Sequence, residues 1–360
     1  MMYYSVFAWV FLLAFLSNYV TMTHEIETDG AKAMRWKTLY AVIAFAPVII
    51  IAALTVPRGD TYTYLTLYDR LPDTLGDLIA SIDVTESGFG FTVLSWIIKK
   101  CVFGSVYGYR LVIALIQSIP IIFIFKNYSE DYLTSLFLFL ASGVHIAWMM
   151  NGLRQYIAVT IIFAATPLLL KNKYIPYLLC VLFASTIHIT AIIMIPIVFV
   201  CLGEKWNRRI LLFLLAALIL TVVFARRAEL LEKWLEHTEY SGAVESAKEL
   251  GDDGTNPVRV LVSAVPMIMA LFVGDRLKDD GDGIVTLAVN MSVVTFGLYL
   301  ISMVTSGIII GRLPIYTMLY SFILLPHLIR KCFSEDSVKI INFAMIGLYM
   351  LYYLYEYRAY

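Results

Sequence analysis

YLTSLFLFLASGVHIAWMMNGLRQYIAVTIIFAATPLLL, residues 132–170, decides the fold class. Two apolar runs, Tyr132–Met150 and Leu153–Leu170, each approach the ~20 residues a helix needs to cross a hydrocarbon core. Between them sits a polar island, Asn151-Gly152-Leu153-Arg154-Gln155-Tyr156, whose Arg154 is the one Asp, Glu, Lys or Arg of the stretch. A charge at membrane depth costs roughly 2.5–3.5 kcal/mol on insertion scales, so it faces a cavity or a partner.

Working outward, comparable spans run near Tyr3–Val20, Leu39–Val56, Arg110–Phe125, Ile210–Phe224, Val258–Val273, Ile284–Val304, Leu313–Ile329 and Ile340–Tyr355. Composition agrees. The chain has 360 residues, 60% of them hydrophobic and 15% charged, with a mean hydropathy of +0.80. Soluble domains carry about 25% charged residues to keep their surfaces wet, so lipid must solvate much of this one. Met1–Val20 has no basic leader and no small-residue cleavage site, and reads as a retained span. Formal net charge is zero, which gives no reason to expect nucleic acid. Cys101, Cys180, Cys201 and Cys332 are far apart with no CxxC pair, and read as apolar thiols. GxxxxGK[ST], GxGxxG and internal repeats are all missing, which argues against cytosolic nucleotide chemistry.

Charge in short loops sets orientation, because Lys and Arg favour the cytoplasm. Lys32, Arg35 and Lys37 place the first loop inside, while Asp60, Asp69, Asp73, Asp77, Asp83 and Glu86 place the next outside. Gly88–Phe103 and Tyr174–Leu202 admit two topologies. In one, each is a single span. In the other, Gly88–Phe103 is interfacial or re-entrant and Tyr174–Leu202 is a hairpin of two short helices turning near His188. The second puts Lys126, Lys171 and Lys173 inside and gathers Arg58, Arg154, His188 and Arg312 at the outer face, so the positive-inside rule prefers it.

The expected fold is therefore an all-α polytopic bundle of about 10–12 spans with short re-entrant or interfacial helices. It forms one transmembrane domain over residues 1–360, with outer segments at 57–87 and 226–256. In the latter, Leu230, Leu231, Trp234 and Leu235 oppose Glu229, Glu232, Glu236 and Glu239, the pattern of an amphipathic helix on a membrane or over a cavity. Gly251–Pro257 then reads as a flexible loop.

Four polar clusters interrupt the apolar pattern: Pro57-Arg58-Gly59-Asp60-Thr61-Tyr62-Thr63-Tyr64, the island at 151–156, Ser185-Thr186-Ile187-His188-Ile189-Thr190, and Gly311-Arg312-Leu313-Pro314-Ile315-Tyr316. Each has an ordinary structural role open to it. Arg58 and Arg154 can snorkel to headgroups, Asp60 can pair with Arg58, and His188 can hydrogen-bond between helices. The tyrosines can form an aromatic belt. As a set they point further. Arginine forks match phosphate oxygens, a carboxylate and an imidazole suit proton transfer, and tyrosines stack on sugar rings. A substrate with a phosphate, an apolar anchor and a polar head answers all three.

The ordered set resembles the EpsG family of exopolysaccharide polymerases, similar in role to Wzy-type O-antigen and capsule polymerases. Arg58-Gly59-Asp60-Thr61, with Tyr62 and Tyr64 following, resembles the family's early R-x-x-D-T-x-x-Y motif, although only Gly59 separates the arginine from the aspartate. Leu153-Arg154-Gln155 resembles its central L-R-Q, and Arg312 to Tyr316 its late arginine before an aromatic-rich span. Ile187-His188-Ile189-Thr190-Ala191 resembles its aromatic-His motif, with isoleucine replacing the aromatic. The resemblance implies a GT-C-like membrane glycosyltransferase of the bacterial cytoplasmic membrane, acting at its outer face. It would join undecaprenyl-diphosphate-linked repeat units, with a chain-length regulator and a flippase as protein partners that such a role admits. It implies Asp60 or His188 as the base. Arg58, Arg154, Gln155 and Arg312 would act on the diphosphate and Tyr62, Tyr64 and Tyr316 on the substrate, without cofactor. A metal is not required, since the guanidinium groups already supply positive charge, although acidic loops could bind one. The rival readings are a lipid-linked glycan transporter, a glycan ligase and a membrane acyltransferase.

Overall fold

A computed structural model describes residues 2–28, 31–57, 59–227, 230, 233, 249, 251–277 and 283–358. Arg58 and the charged stripe at Glu229, Glu232, Glu236 and Glu239, with Leu231, Trp234 and Leu235, lie outside the described residues. The chain is an all-α polytopic membrane protein. Among the described residues five helices are long and apolar enough to cross a bilayer: Val106–Tyr128, Leu153–Leu170, Arg208–Arg226, Gly283–Met303 and Glu335–Glu356. Five further apolar helices are shorter, Tyr4–Leu16, Thr38–Leu54, Tyr174–Ile187, Ile189–Cys201 and Pro257–Val273.

The chain divides into two compact units, Met1–Met194 with Asn342–Tyr360, and Ile195–Ile341. The first begins with α1 (Met2–Leu16) and a two-stranded antiparallel hairpin of β1 (Thr23–Thr28) and β2 (Ala31–Trp36), in which Thr23 pairs with Trp36 and Thr28 with Ala31. The hairpin, unexpected from the sequence, gives structure to the basic loop. Arg35 reaches from it to the Ser129 carbonyl at 2.9 Å, and Trp36 packs against the Tyr132 ring at 5.3 Å. There follow α2 (Thr38–Leu54), α3 (Asp60–Asp69), α4 (Leu75–Ser81), α5 (Phe89–Cys101) and α6 (Val106–Tyr128). Then come α7 (Tyr132–Ala141), α8 (Val144–Asn151), α9 (Leu153–Ala164), α10 (Thr166–Leu170) and α11 (Tyr174–Ile187). The segment 57–87, expected as an outer loop, thus contains two short helices.

Three stretches depart from simple spans. Tyr132–Met150, expected as one span, is two helices bent by 69°. Gly143 explains the bend: its φ of +68° lies in the left-handed region that a non-glycine residue rarely enters, and it ends the ladder of α7. At 13 residues α5 rises about 20 Å, too short to cross a ~30 Å core. Tyr174–Leu202 breaks at His188, whose extended backbone (φ −148°, ψ 118°) separates α11 from the 3₁₀ turn Ile189–Ile193 and from α12 (Met194–Cys201).

Packing of the first unit is aromatic. Phe7 of α1 meets Phe137 at 5.9 Å and Tyr353 at 4.9 Å, and the Tyr132 hydroxyl donates to the Ala41 carbonyl of α2 at 2.8 Å. A second core gathers Tyr64, Tyr68, Phe91, Tyr109, Leu153, Ile157 and Ile187 from five helices. Here Tyr68 stacks on Tyr109 at 4.1 Å.

The second unit contains α13 (Arg208–Arg226), α14 (Pro257–Val273), α15 (Gly283–Met303) and α16 (Ile315–Cys332), with α17 (Glu335–Arg358) beginning in it. The hydrophobic stretch of α15 is the most buried of the long helices and that of α13 the least, so α13 presents leucines to lipid. Gly297 allows α13 and α15 to touch, because a Cβ there would stand 2.7 Å from the Phe213 ring. Asn290 on α15 pins the turn after α12: its amide donates to the carbonyls of Cys201 (2.8 Å) and Glu204 (3.0 Å) and accepts from the Trp206 N–H (3.1 Å). All four cysteines are free thiols, but only Cys201 is buried, and Cys101 is exposed.

Candidate functional site

Three of the four polar clusters meet in the first unit. Gly59, at φ +50°, begins α3, and a Cβ on it would lie 2.7 Å from Asn151 Oδ1, so the position demands glycine. That close approach lets the Asp60 N–H donate to Asn151 Oδ1 at 3.0 Å, while the Thr61 hydroxyl donates to the Met150 carbonyl. The amino end of α3 is thereby fastened to the carboxyl end of α8. Asp60 itself is exposed, and a carboxylate in the first helical turn also favours the helix dipole.

The chain leaves α8 through Gly152, where a Cβ would run into the Trp148 ring, and starts α9 with Leu153-Arg154-Gln155-Tyr156. Tyr156 is fully buried, and its hydroxyl meets Nδ1 of the buried His145 on α8 at 3.2 Å, so side chains bridge the break between the two helices. Arg154 then lies over the Tyr64 ring, 5.6 Å from its centroid, and Tyr64 packs edge-on against Phe91 at 5.4 Å. The guanidinium also abuts Gly88: a Cβ there would stand 2.7 Å from Arg154 Nη1. Arg154 Nε is buried and has no hydrogen-bond partner among the described residues. A cation on an aromatic face gains about 0.5–2 kcal/mol, but a buried donor with nothing to bond is destabilising by about 1–3 kcal/mol. The arrangement suits an anion that brings oxygen acceptors.

The third cluster reaches the same helix. Gln155 is 2% exposed, and its Nε2 donates to Thr190 Oγ1 at 3.4 Å. Thr190 Oγ1 is also 2.7 Å from His188 Nδ1. One hydroxyl therefore links the amide after Arg154 to the half-buried imidazole that ends α11. Gly90 sits so close to Thr186 that a Cβ would overlap its hydroxyl, which brings α5 against the carboxyl end of α11. Chemically, the assembly offers a guanidinium for an anion, an oriented imidazole for a proton and an exposed carboxylate. Among the described residues no group of three or more His, Cys, Asp or Glu side chains could hold a metal ion.

The remaining candidates fall elsewhere. Tyr62 is 69% exposed. Arg312 and Tyr316 belong to the second unit: Arg312 is half-buried on the 3₁₀ turn Ile310–Arg312, and Tyr316, at 1% exposed, is part of the buried face of α16. Sequence reasoning passed over Asn151 and Thr190 as site residues, though both stood in the quoted clusters, and over Gly88, Gly90 and His145. The glycines at 88 and 90 open an amphipathic stretch, a signal of close backbone approach that was available. Nothing in the sequence separates His145 from an ordinary core histidine.

No curated protein and no solved structure matches the chain. A family model does, over residues 38–360, a stretch that contains all four clusters. On that match the chain belongs to the EpsG family.

Proposed function

We propose that this protein is a polysaccharide polymerase of the bacterial cytoplasmic membrane, a glycosyltransferase that joins undecaprenyl-diphosphate-linked repeat units at the outer face. The observation that carries the reading is Arg154: a guanidinium seated on Tyr64, backed by Gly88, with a buried Nε that has no hydrogen-bond partner among the described residues. Membership of the EpsG family supports an exopolysaccharide polymerase-like role.

In this mechanism a hydroxyl of the incoming lipid-linked repeat unit attacks the anomeric carbon of the growing chain. The bond from that carbon to the diphosphate oxygen breaks, a glycosidic bond forms, and undecaprenyl diphosphate leaves with the bonding electron pair. Arg154 takes up the charge that develops on the diphosphate, a role worth roughly 3–4 kcal/mol where single donors have been removed from comparable sites. Arg58 and Arg312 contribute further positive charge. His188 accepts the proton of the attacking hydroxyl. Its Nδ1 contact with Thr190 fixes the ring, and an imidazole is the side chain whose chemistry suits taking up and releasing a proton. Asp60 is the competing base, exposed at the start of α3. Tyr62, which is exposed, meets the sugar, while Tyr64 seats Arg154.

The test is chain extension by the purified protein reconstituted in lipid with its undecaprenyl-diphosphate repeat unit. A ladder of lengthened glycans, absent with Arg154→Ala, is the expected result. Movement of the lipid-linked unit across vesicles with no lengthening would replace the polymerase by a transporter, in which the arginines grip the diphosphate without chemistry.

A further inference from the structure

Arg312 rides on a segment with little regular structure of its own. Between the end of α15 at Met303 and the start of α16 at Ile315 the only helical piece is the three-residue turn Ile310–Arg312, and so short a 3₁₀ turn is weakly self-supporting. The loop before α14, expected from its glycines to be flexible, supplies the support. Asp252 Oδ1 accepts from the N–H groups of Gly307 (2.9 Å) and Gly254 (3.1 Å). Its Oδ2 accepts from the Ser306 hydroxyl (2.5 Å) and the Ile308 N–H (3.1 Å).

From there the bonding continues toward the arginine. Ser306 Oγ accepts from the Ile309 N–H at 2.9 Å, and the Ser306 carbonyl accepts from Ile310 at 3.1 Å and Gly311 at 3.0 Å. The two backbones lie almost in contact. Thr255 donates its N–H to the Ser302 carbonyl at 3.0 Å. Gly254 (φ +92°) has room for no side chain, since a Cβ would stand 2.5 Å from the Met303 carbonyl oxygen. A Cβ on Gly311 would stand 2.7 Å from Thr255 Oγ1. Burial raises the Asp252 pKa, but hydrogen bonds from Ser306, Ile308, Gly307 and Gly254 outweigh it and hold the carboxyl below its ordinary value. Only an ionised carboxylate offers two acceptor-only oxygens to four donors; an asparagine would turn one toward them as a donor.

We propose that Asp252 is a positioning residue for Arg312: its carboxylate fixes the turn that presents this guanidinium to the diphosphate of the lipid-linked donor. The inference rests on the reading of Arg312 given above, and two independent readouts keep the two apart. The full-length protein is reconstituted in lipid nanodiscs, and hydrogen exchange over residues 304–314 is measured beside the kcat and KM of chain extension. The undecaprenyl-diphosphate repeat unit is the substrate. Asp252→Asn should speed exchange in that segment alone and lower kcat by about tenfold or more, with KM changed by less than about threefold. Ser306→Ala leaves three of the four bonds to Asp252 while also removing the acceptor of the Ile309 N–H, and should act in the same direction, which covers the case of an Asp252 variant that does not fold. Asp253→Asn, at an exposed neighbour, should change neither. Arg312→Ala should lower kcat without altering exchange.

Unchanged exchange at 304–314 in both Asp252→Asn and Ser306→Ala would overturn the clamp. So would faster exchange with unchanged kcat. Unchanged turnover in Arg312→Ala would remove the reading of Arg312 and the proposal with it, and the exchange data would show that the clamp itself was not the point of failure.

Discussion

Around Arg154 and around Arg312 a half-buried guanidinium is held beside a break between helices, by different means. Arg154 starts a helix immediately after a break, and packing holds it: Tyr64 beneath, Gly88 against Nη1, and a core of Tyr68, Phe91 and Tyr109 behind. Arg312 sits on a three-residue turn, and hydrogen bonds hold that turn through one carboxylate from a distant loop. The first arrangement spreads its support over many small contacts, so no single neighbour should be decisive except where backbone conformation is at stake. The second concentrates support in Asp252, so one substitution should release it. Both hold a guanidinium in a fixed place, one by packing and the other through a hydrogen-bonded turn.

The largest effect should follow loss of the guanidinium at 154. Arg154→Ala should lower chain extension by about 100-fold or more while leaving membrane insertion and melting temperature close to wild type, measured on matched reconstituted samples.

Next comes Gly88→Ala, which forces a Cβ into a residue at φ +91° and against Arg154 Nη1. A strained position of this kind carries about 1–3 kcal/mol, so activity should fall by roughly 10-fold to 100-fold. The decisive comparison is a double-mutant cycle: in an Arg154→Ala background the added loss should shrink, because the group that Gly88 accommodates is gone.

The proton acceptor is separable by substitution. His188→Gln should cost about 100-fold in kcat or more, within the range of general base catalysis, and Asp60→Asn much less. A reversal of that order would move the role to Asp60.

Smaller still is Asn151→Ala. It removes the acceptor of the Asp60 N–H and should destabilise by about 0.5–1.5 kcal/mol, read as a lower melting temperature. Tyr62→Ala, at an exposed position, should leave melting within about 0.5 kcal/mol of wild type. An accompanying rise in KM would show the ring meeting substrate.

How much of this could be read from the sequence follows from what sets each feature. Apolar runs fix where helices lie, and α6, α9 with α10, α13 and α15 stand close to the expected spans because burial in lipid depends on composition alone. Breaks depend on single residues. Gly143 bends a stretch whose hydrophobicity is uninterrupted, and a hydropathy pattern has no means of showing a φ of +68°. The hairpin at Thr23–Trp36 was hidden by its charges, although the Asp-Gly dipeptide at 29–30 is a strong hairpin signal. Among the candidate residues, arginines and a histidine stand out because they are costly in a membrane, so Arg154, His188 and Arg312 were visible. Their supports were not: Asn151, Thr190 and Gly88 are ordinary residues whose roles exist only once distant segments touch. Asp252 is the clearest case. Gly251–Pro257 reads as a flexible loop, and only the approach of Ser306 and Gly307 makes it a fastening.

The most direct measurement is single-turnover release of undecaprenyl diphosphate from a loaded glycan donor, comparing wild type, Arg154→Lys and Arg154→Ala in the same lipid. A steep order is expected: Lys keeps the charge but loses the fork and the full seat on Tyr64, so release slows by about tenfold, and Ala slows it by about 100-fold or more. Wild-type release from a folded, membrane-inserted Arg154→Ala protein would contradict the assignment of Arg154 to the leaving diphosphate.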